Sequence, residues 1–225
     1  MVDGGFYQRQ ASRLFGQKTA AERATELHTY ALRHVDTKRG QELYRIFYYD
    51  CPPSEKTVYH PLKQTNISLK ESPLYKWSKE FHRELTSKRK MAIRMGELLE
   101  GSMGYSLSQS AVRKLCRGEI TVSDLKELDF YLDIQQKGVD MRIGLDIASL
   151  ANKRLVDQIV LIAGDSDFVP AAKHARREGI DFILDPMWHT IKPSLNEHID
   201  GLFSRVSKPP AHYGDPLCVL PKPPK

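Results

Sequence analysis

An apolar run that breaks at a glycine and two near-adjacent aspartates constrains this chain more than any other stretch. Ile159-Val160-Leu161-Ile162-Ala163 gives way at Gly164 to Asp165-Ser166-Asp167-Phe168. The run is too short and too β-branched to be a helix of its own, and its bounds are charge on one side and glycine on the other. That predicts a fully buried parallel strand. Residues 168–178 then predict a helix, with Pro170 near its first turn, alanines at 171, 172 and 175, and Gly179 as its stop. Strand, turn and helix together set Asp165 and Asp167 at the carboxyl edge of a sheet, where open α/β sheets bind ligands.

Two carboxylates one residue apart on a turn can face the same side, and like charges that close call for a cation. Hard oxygen ligands in that arrangement suit Mg²⁺ or Mn²⁺, which keeps several waters and orients a phosphate. A plain structural reading also accounts for each residue alone: Asp167 caps the following helix and Asp165 is a solvated turn residue.

The 225 residues suffice for one α/β domain with an insertion, and an apolar content of 40% is enough for a packed core. Lys and Arg number 34 against 28 Asp and Glu, a net charge of +6 that suits a polyanionic partner without being a strong basic signature. Cys51, Cys116 and Cys218 form no CxxC pair, so neither a disulfide framework nor a structural zinc site is indicated, and a reducing cytoplasm is expected. No stretch reaches the ~18 apolar residues of a membrane span, and no signal-peptide layout opens the chain.

Along the chain, Asp3 is followed by Gly4 and Gly5, which permit a tight turn or close approach of backbone to a ligand. Only two residues precede Asp3, so any strand it ends is very short. Residues 8–15 predict a short helix, and Thr19-Ala20-Ala21-Glu22 is a capping box opening another. Residues 43–49, aromatic and β-branched, predict a strand ending at Asp50, which shares an edge with Asp3 if the two strands form a right-handed crossover unit. A turn before Pro52-Pro53 is the simpler account of Asp50.

From about residue 54 to 128 the composition turns charged, with mixed helical patterns, and we expect a largely helical insertion there. It contains an amphipathic helix over 73–88 and a basic knot, Lys88-Arg89-Lys90, that could either track a nucleic-acid backbone or form a solvated face. Residues 130–135 predict a strand, and the helix after it has Asp140 at its N-terminal end, either as a cap or as a carboxylate facing Asp165 and Asp167, with Lys137 nearby for a phosphate. Asp146, on the flank of that helix's apolar stripe, fits a supporting carboxylate or an internal salt bridge. Residues 181–184 predict a strand. A capping box at Ser194 and Glu197 predicts a closing helix to Val206, and residues 207–225 predict a flexible Pro/Lys-rich tail.

Three motifs in order, Val2-Asp3-Gly4-Gly5-Phe6, Lys137-Gly138-Val139-Asp140 and Gly164-Asp165-Ser166-Asp167-Phe168, resemble the NYN family of PIN-like nuclease domains of the LabA type. Ala92-Ile93-Arg94-Met95-Gly96-Glu97-Leu98 also resembles part of that family's inserted region. Unlike some members, this chain has no asparagine shortly after Asp3. The resemblance runs from Asp3 to about Val206 and implies a Rossmann-like three-layer sandwich with a mainly parallel sheet, the domain spanning residues 1–206 around the insertion. It further implies an acidic pocket that binds Mg²⁺ or Mn²⁺ and cleaves RNA, single-stranded or structured. Carried over by position, Asp3, Asp140, Asp165 and Asp167 are the metal-binding, catalytic carboxylates. Gly4, Lys137, Arg142, Ser166 and Lys173 are candidates for substrate contact, and Asp50 and Asp146 for a supporting role.

Other readings remain open. A haloacid-dehalogenase-type phosphatase uses an Asp-x-Asp pair, but on its first strand, and a Toprim domain wants an early glutamate where this chain has Asp3. An RNA-binding module of the same fold without catalysis is the non-enzymatic alternative. The insertion offers a surface for a homodimer.

Overall fold

The computed structural model describes residues 1–207; the expected tail at 207–225 lies, after its first residue, outside them. The strands are β1 (Val2–Asp3), β2 (Ile46–Asp50), β3 (Thr57–His60), β4 (Thr65–Ser68), β5 (Met91–Met95), β6 (Glu97–Leu98), β7 (Gly104–Leu107), β8 (Phe130–Asp133), β9 (Gln136–Lys137), β10 (Gln158–Ile162), β11 (Asp181–Asp185) and β12 (Gly201–Leu202). The helices are α1 (Gly4–Phe15), α2 (Ala20–Leu32), α3 (Pro73–Thr86), α4 (Gln109–Cys116), α5 (Val139–Asn152), α6 (Val169–Arg177) and α7 (Pro193–Asn196). They fall into two compact units: one of Met1–Asp50, Glu80–Gly96 and the residues from Gly138, the other of Cys51–Lys79 and Glu97–Lys137.

The first unit is an α/β domain on a six-stranded sheet of order β12-β11-β10-β1-β2-β5, every pairing parallel. Consecutive residues are buried along β2 (Ile46, Phe47, Tyr48, Tyr49) and β11 (Phe182, Ile183, Leu184, Asp185). Because neighbouring side chains point to opposite faces, both faces of the sheet are covered, and near-continuous apolar runs are what such strands require. The chain starts β1 in the middle of the sheet, runs outward through β2 to β5, then returns to β10 on the other side of β1. The order therefore reverses between β1 and β10, the switch point at which doubly wound sheets open a crevice.

Two residues suffice for β1 because Met1 extends its pairing. Its amine donates to the Val160 carbonyl at 2.7 Å, and its carbonyl accepts from the Ile162 N–H at 2.9 Å. Burial pushes the pKa of that amine down to about 5.

Several sequence-based expectations need correction. The segment expected to be largely helical contains β3, β4, β6 and β7, and also β5, one of the two edge strands of the parallel sheet. Edge strands are only half covered, so Met91–Met95 has no continuous apolar run by which to be recognised. The strand at β8 pairs antiparallel with β7 and is no part of the main sheet. The closing helix is a single turn, α7, after which Gly201 enters β12 beside Ile183. A Cβ on Gly201 would stand 2.7 Å from the Ile183 side chain, so this glycine serves close strand packing where a helix was expected.

The second unit contains three antiparallel two-stranded ribbons, β3/β4, β6/β9 and β7/β8, together with α4. Its small core is Val58, Leu69 and Met103, flanked by Leu98, Tyr105 and Leu132. Buried His60 packs against Tyr105 with the rings tilted by 41° and their centroids 4.3 Å apart.

Candidate acidic site at the sheet edge

Asp3 is the last residue of β1 and the N-cap of α1, its Oδ1 accepting from the Phe6 N–H at 3.1 Å. Gly4 makes this abrupt strand-to-helix turn possible: a Cβ there would lie 2.4 Å from the Tyr49 carbonyl and 2.7 Å from the Tyr48 ring. Gly4 is buried, and its missing side chain serves the packing of α1 on β2. Asp50 ends the adjacent strand β2, half-buried, and accepts from the Tyr48 hydroxyl at 3.1 Å, with His82 Nε2 also 3.1 Å away.

On the other side of the switch point, β10 ends at Ile162, and the chain leaves through Ala163 and Gly164. Asp165 caps a single 3₁₀ turn, Ser166–Phe168, accepting from the Asp167 N–H at 3.2 Å, before α6 begins. Asp165 and Asp167 are both exposed. Asp140 is exposed in the first turn of α5, which starts after Gly138 at φ 79°, a left-handed conformation suited to glycine.

Electrostatics ties these residues together. The Asp3 carboxyl is raised above its ordinary value, first by burial and then by the charges of Asp140 and Asp50, against the lowering influence of the Phe6 N–H and Arg9. Asp140 is also raised, by burial and by the charges of Asp165 and Asp167. Asp140 thus lies within electrostatic reach of Asp3 on one side and of Asp165 and Asp167 on the other, and its like charge adds to the effect of burial. The four carboxylates are not a closed cage: among the described residues, no group of three or more His, Cys, Asp or Glu side chains is arranged to hold a metal ion.

The remaining candidates are dispersed. Ser166 lies between the two aspartates, and its hydroxyl accepts from Lys192 Nζ at 3.1 Å. Arg142 is exposed on α5 and Lys173 exposed on α6. Lys137 ends β9, opposite Glu97, in the second unit. Asp146 accepts from the Tyr49 hydroxyl at 2.8 Å and pairs with Arg94 at 3.2 Å, an internal ion pair joining α5 to β2 and β5. The basic knot is used within the fold: Lys88 donates to Thr25 at 2.9 Å, and the Lys90 amine donates to the Leu43 carbonyl.

Sequence reasoning missed Arg9, His189 and Lys192. Gly164 explains how His189 comes close: a Cβ there would lie 2.5 Å from the Phe6 ring and 3.0 Å from the His189 ring, and those two rings meet edge to face at 5.8 Å. The signal was a Trp-His and a lysine in the short connection after Asp185-Pro186, at the same sheet edge. In comparison with known proteins, residues 102–196 match the NYN domain model, a range that includes Asp140, Asp165 and Asp167 and leaves Asp3 outside. No curated protein and no solved structure matches the chain.

Proposed function

From a chain whose residues 102–196 match the nuclease-like NYN domain, we propose a divalent-metal-dependent ribonuclease that hydrolyses RNA phosphodiester bonds at the carboxyl edge of the sheet. The observation that carries this reading is the gathering of carboxylates at the switch point, Asp3 at the end of β1, Asp165 and Asp167 on the turn after β10 and Asp140 in the first turn of α5, with the charge of Asp140 felt at Asp3 and those of Asp165 and Asp167 felt at Asp140. Unpaired like charges gathered at a ligand-binding edge raise the free energy of the empty protein, and a cation relieves it.

The donor set fits Mg²⁺ or Mn²⁺. It consists of hard carboxylate oxygens, and these ions take one or two carboxylates and complete their shell with water and phosphate. Such an ion supplies Lewis-acid stabilisation of the phosphate and lowers the pKa of a water nucleophile. Asp165 and Asp167 present their oxygens on an exposed 3₁₀ turn, and Asp140 approaches from the first turn of α5. Asp3 is held by the Phe6 N–H so that one face of its carboxylate is fixed. Lys192, hydrogen-bonded to Ser166, and Arg9, which acts on Asp3, are the cations placed to meet a phosphate oxygen.

The test is cleavage of a pool of single-stranded and hairpin RNAs with Mn²⁺ or Mg²⁺, comparing wild type, Asp165→Asn and a chelator control. Cleavage that needs both the metal and Asp165 supports the reading; equal inertness of all three samples overturns it. The second reading, an RNA-binding module without catalysis, is favoured by the lack of a ready three-ligand group. It is distinguished by RNA affinity that a chelator leaves unchanged.

A further inference from the structure

The connection between β11 and α7 is held in an arrangement that its own backbone disfavours. Met187 and Trp188 are consecutive non-glycine residues at φ 46° and 62°, left-handed conformations that L side chains adopt only when surrounding contacts impose them. Those contacts are present. Asp185, fully buried at the end of β11, accepts from the Met187 N–H at 2.8 Å. It is itself fixed by the Tyr30 hydroxyl at 2.5 Å and by His34 Nε2 at 2.8 Å. The Trp188 N–H donates to Ser204 Oγ at 3.0 Å and its indole N–H to the Val206 carbonyl at 2.8 Å. The His189 N–H closes the turn on the Pro186 carbonyl at 2.7 Å.

A turn fixed this firmly presents three side chains along the edge that bears the carboxylates. The His189 ring lies against Gly164 and Phe6, the neighbours of Asp165 and Asp3. Lys192 reaches Ser166, between Asp165 and Asp167. Trp188 leaves 44% of its surface exposed on the far side, where its indole is anchored to the chain leaving β12. The segment thus runs from the acidic site, across the end of β11, toward β12, over strands spaced about 4.8 Å apart. It is a cation next to repelling carboxylates, followed by a rigid aromatic face.

A polyanionic strand would not approach four carboxylates without cations, and a base stacks on an aromatic ring only if it is unpaired. We propose that residues 186–192 form a single-strand RNA platform, in which Lys192 holds a backbone phosphate beside the scissile one and Trp188 stacks an unpaired base. This rests on the ribonuclease reading of the same edge and adds its substrate class. Single-stranded RNA is preferred over duplex RNA, whose bases present no free face. His189 is a positioning residue here, filling the space over Gly164 between the platform and the carboxylates.

The experiment is fluorescence anisotropy of a labelled single-stranded RNA and a labelled hairpin stem with the full chain, in the Asp165→Asn background with Mg²⁺, where the ribonuclease reading leaves binding without cleavage. Lys192→Ala is expected to weaken single-strand binding about 2- to 5-fold and to reduce the salt slope by about 0.7, the share of one phosphate contact. Trp188→Ala is expected to weaken it about 5- to 100-fold, with Trp188→Phe retaining most of the affinity. Thermal melts identify any variant that has lost its fold, and the Lys192 variants, at an exposed position, keep the test decisive if Trp188→Ala unfolds. Single-strand binding left unchanged by Lys192→Ala, or by a Trp188→Ala variant that melts as wild type does, or a preference for the hairpin stem, would overturn the platform, while metal-dependent cleavage by wild type would leave the ribonuclease reading standing. Absence of both RNA binding and cleavage overturns both.

Discussion

The charge of Asp140, in the first turn of α5, raises the carboxyl of Asp3, at the end of a two-residue strand. Neither residue is near the other in sequence, and only the parallel order β10-β1-β2 brings their elements to one edge. A repulsion built into the fold is a stability cost that evolution retains at functional sites.

One consequence concerns stability without divalent ions. Asp140→Asn removes one charge from the group formed with Asp165 and Asp167 while keeping the size of the side chain. Because Asp140 is exposed, solvent screens most of the effect, and we expect a rise in Tm of about 1–2 °C in chelator. A differential melt of wild type and variant in EDTA checks this, and a clear fall in Tm would show that Asp140 makes favourable contacts instead.

The pH dependence follows from Asp3. Its carboxyl is raised above 3.8 in the folded chain, chiefly by burial. The folded state therefore binds more proton than the unfolded state between 3.8 and the raised value. The favourable contribution is complete below the unfolded value and is lost as pH rises through the folded one. Asp3→Asn, which still caps α1, is free of this loss. In chelator the difference in Tm between Asp3→Asn and wild type should grow in favour of the variant as pH rises from below 4. A difference that stays flat with pH would contradict the burial of this carboxyl.

Much of this arrangement was legible from the sequence. The apolar run of β10 ending at Gly164 and the aromatic run of β2 gave strands of the right kind, since strands buried on both faces need continuous apolar residues. Asp140 could be placed at a helix N-terminus because the spacing of Ile143, Ile147 and Leu150 marks that helix's buried stripe. The half-covered edge strand β5 and the two-residue strands β1, β6, β9 and β12 were not legible in the same way, because so few residues carry no periodicity. The roles of His189 and Lys192 depend on the left-handed turn at Met187 and Trp188, which no propensity of those residues foretells.

Gly4 provides a test of how β1 passes into α1. A methyl group there would have to overlap the Tyr49 carbonyl at 2.4 Å, and a carbonyl in a buried strand cannot swing aside as a flexible side chain can. Gly4→Ala should cost about 1–3 kcal/mol, the range for overpacked cores. Chemical denaturation measures it, and a neutral result would mean that α1 is free to shift away from β2.

The buried carboxylate beneath the β11 turn should be among the most sensitive positions. Asp185→Ala leaves Tyr30, His34 and the Met187 N–H without their common acceptor. A loss of about 3–5 kcal/mol is expected from removing one partner of a buried charged network. Urea unfolding of the variant checks this, and a loss under 1 kcal/mol would show that the turn is held mainly by its other contacts.

The central claim is that the carboxylates at the switch point bind a divalent ion, and Mn²⁺ binding followed by electron paramagnetic resonance tests it without knowledge of the RNA. Wild type should bind Mn²⁺ in competition with Mg²⁺, and Asp165→Asn and Asp140→Asn should each weaken that binding at least about 10-fold, the loss of over ~1.4 kcal/mol. Wild type that binds no Mn²⁺, or variants that bind it as tightly as wild type, would contradict the account.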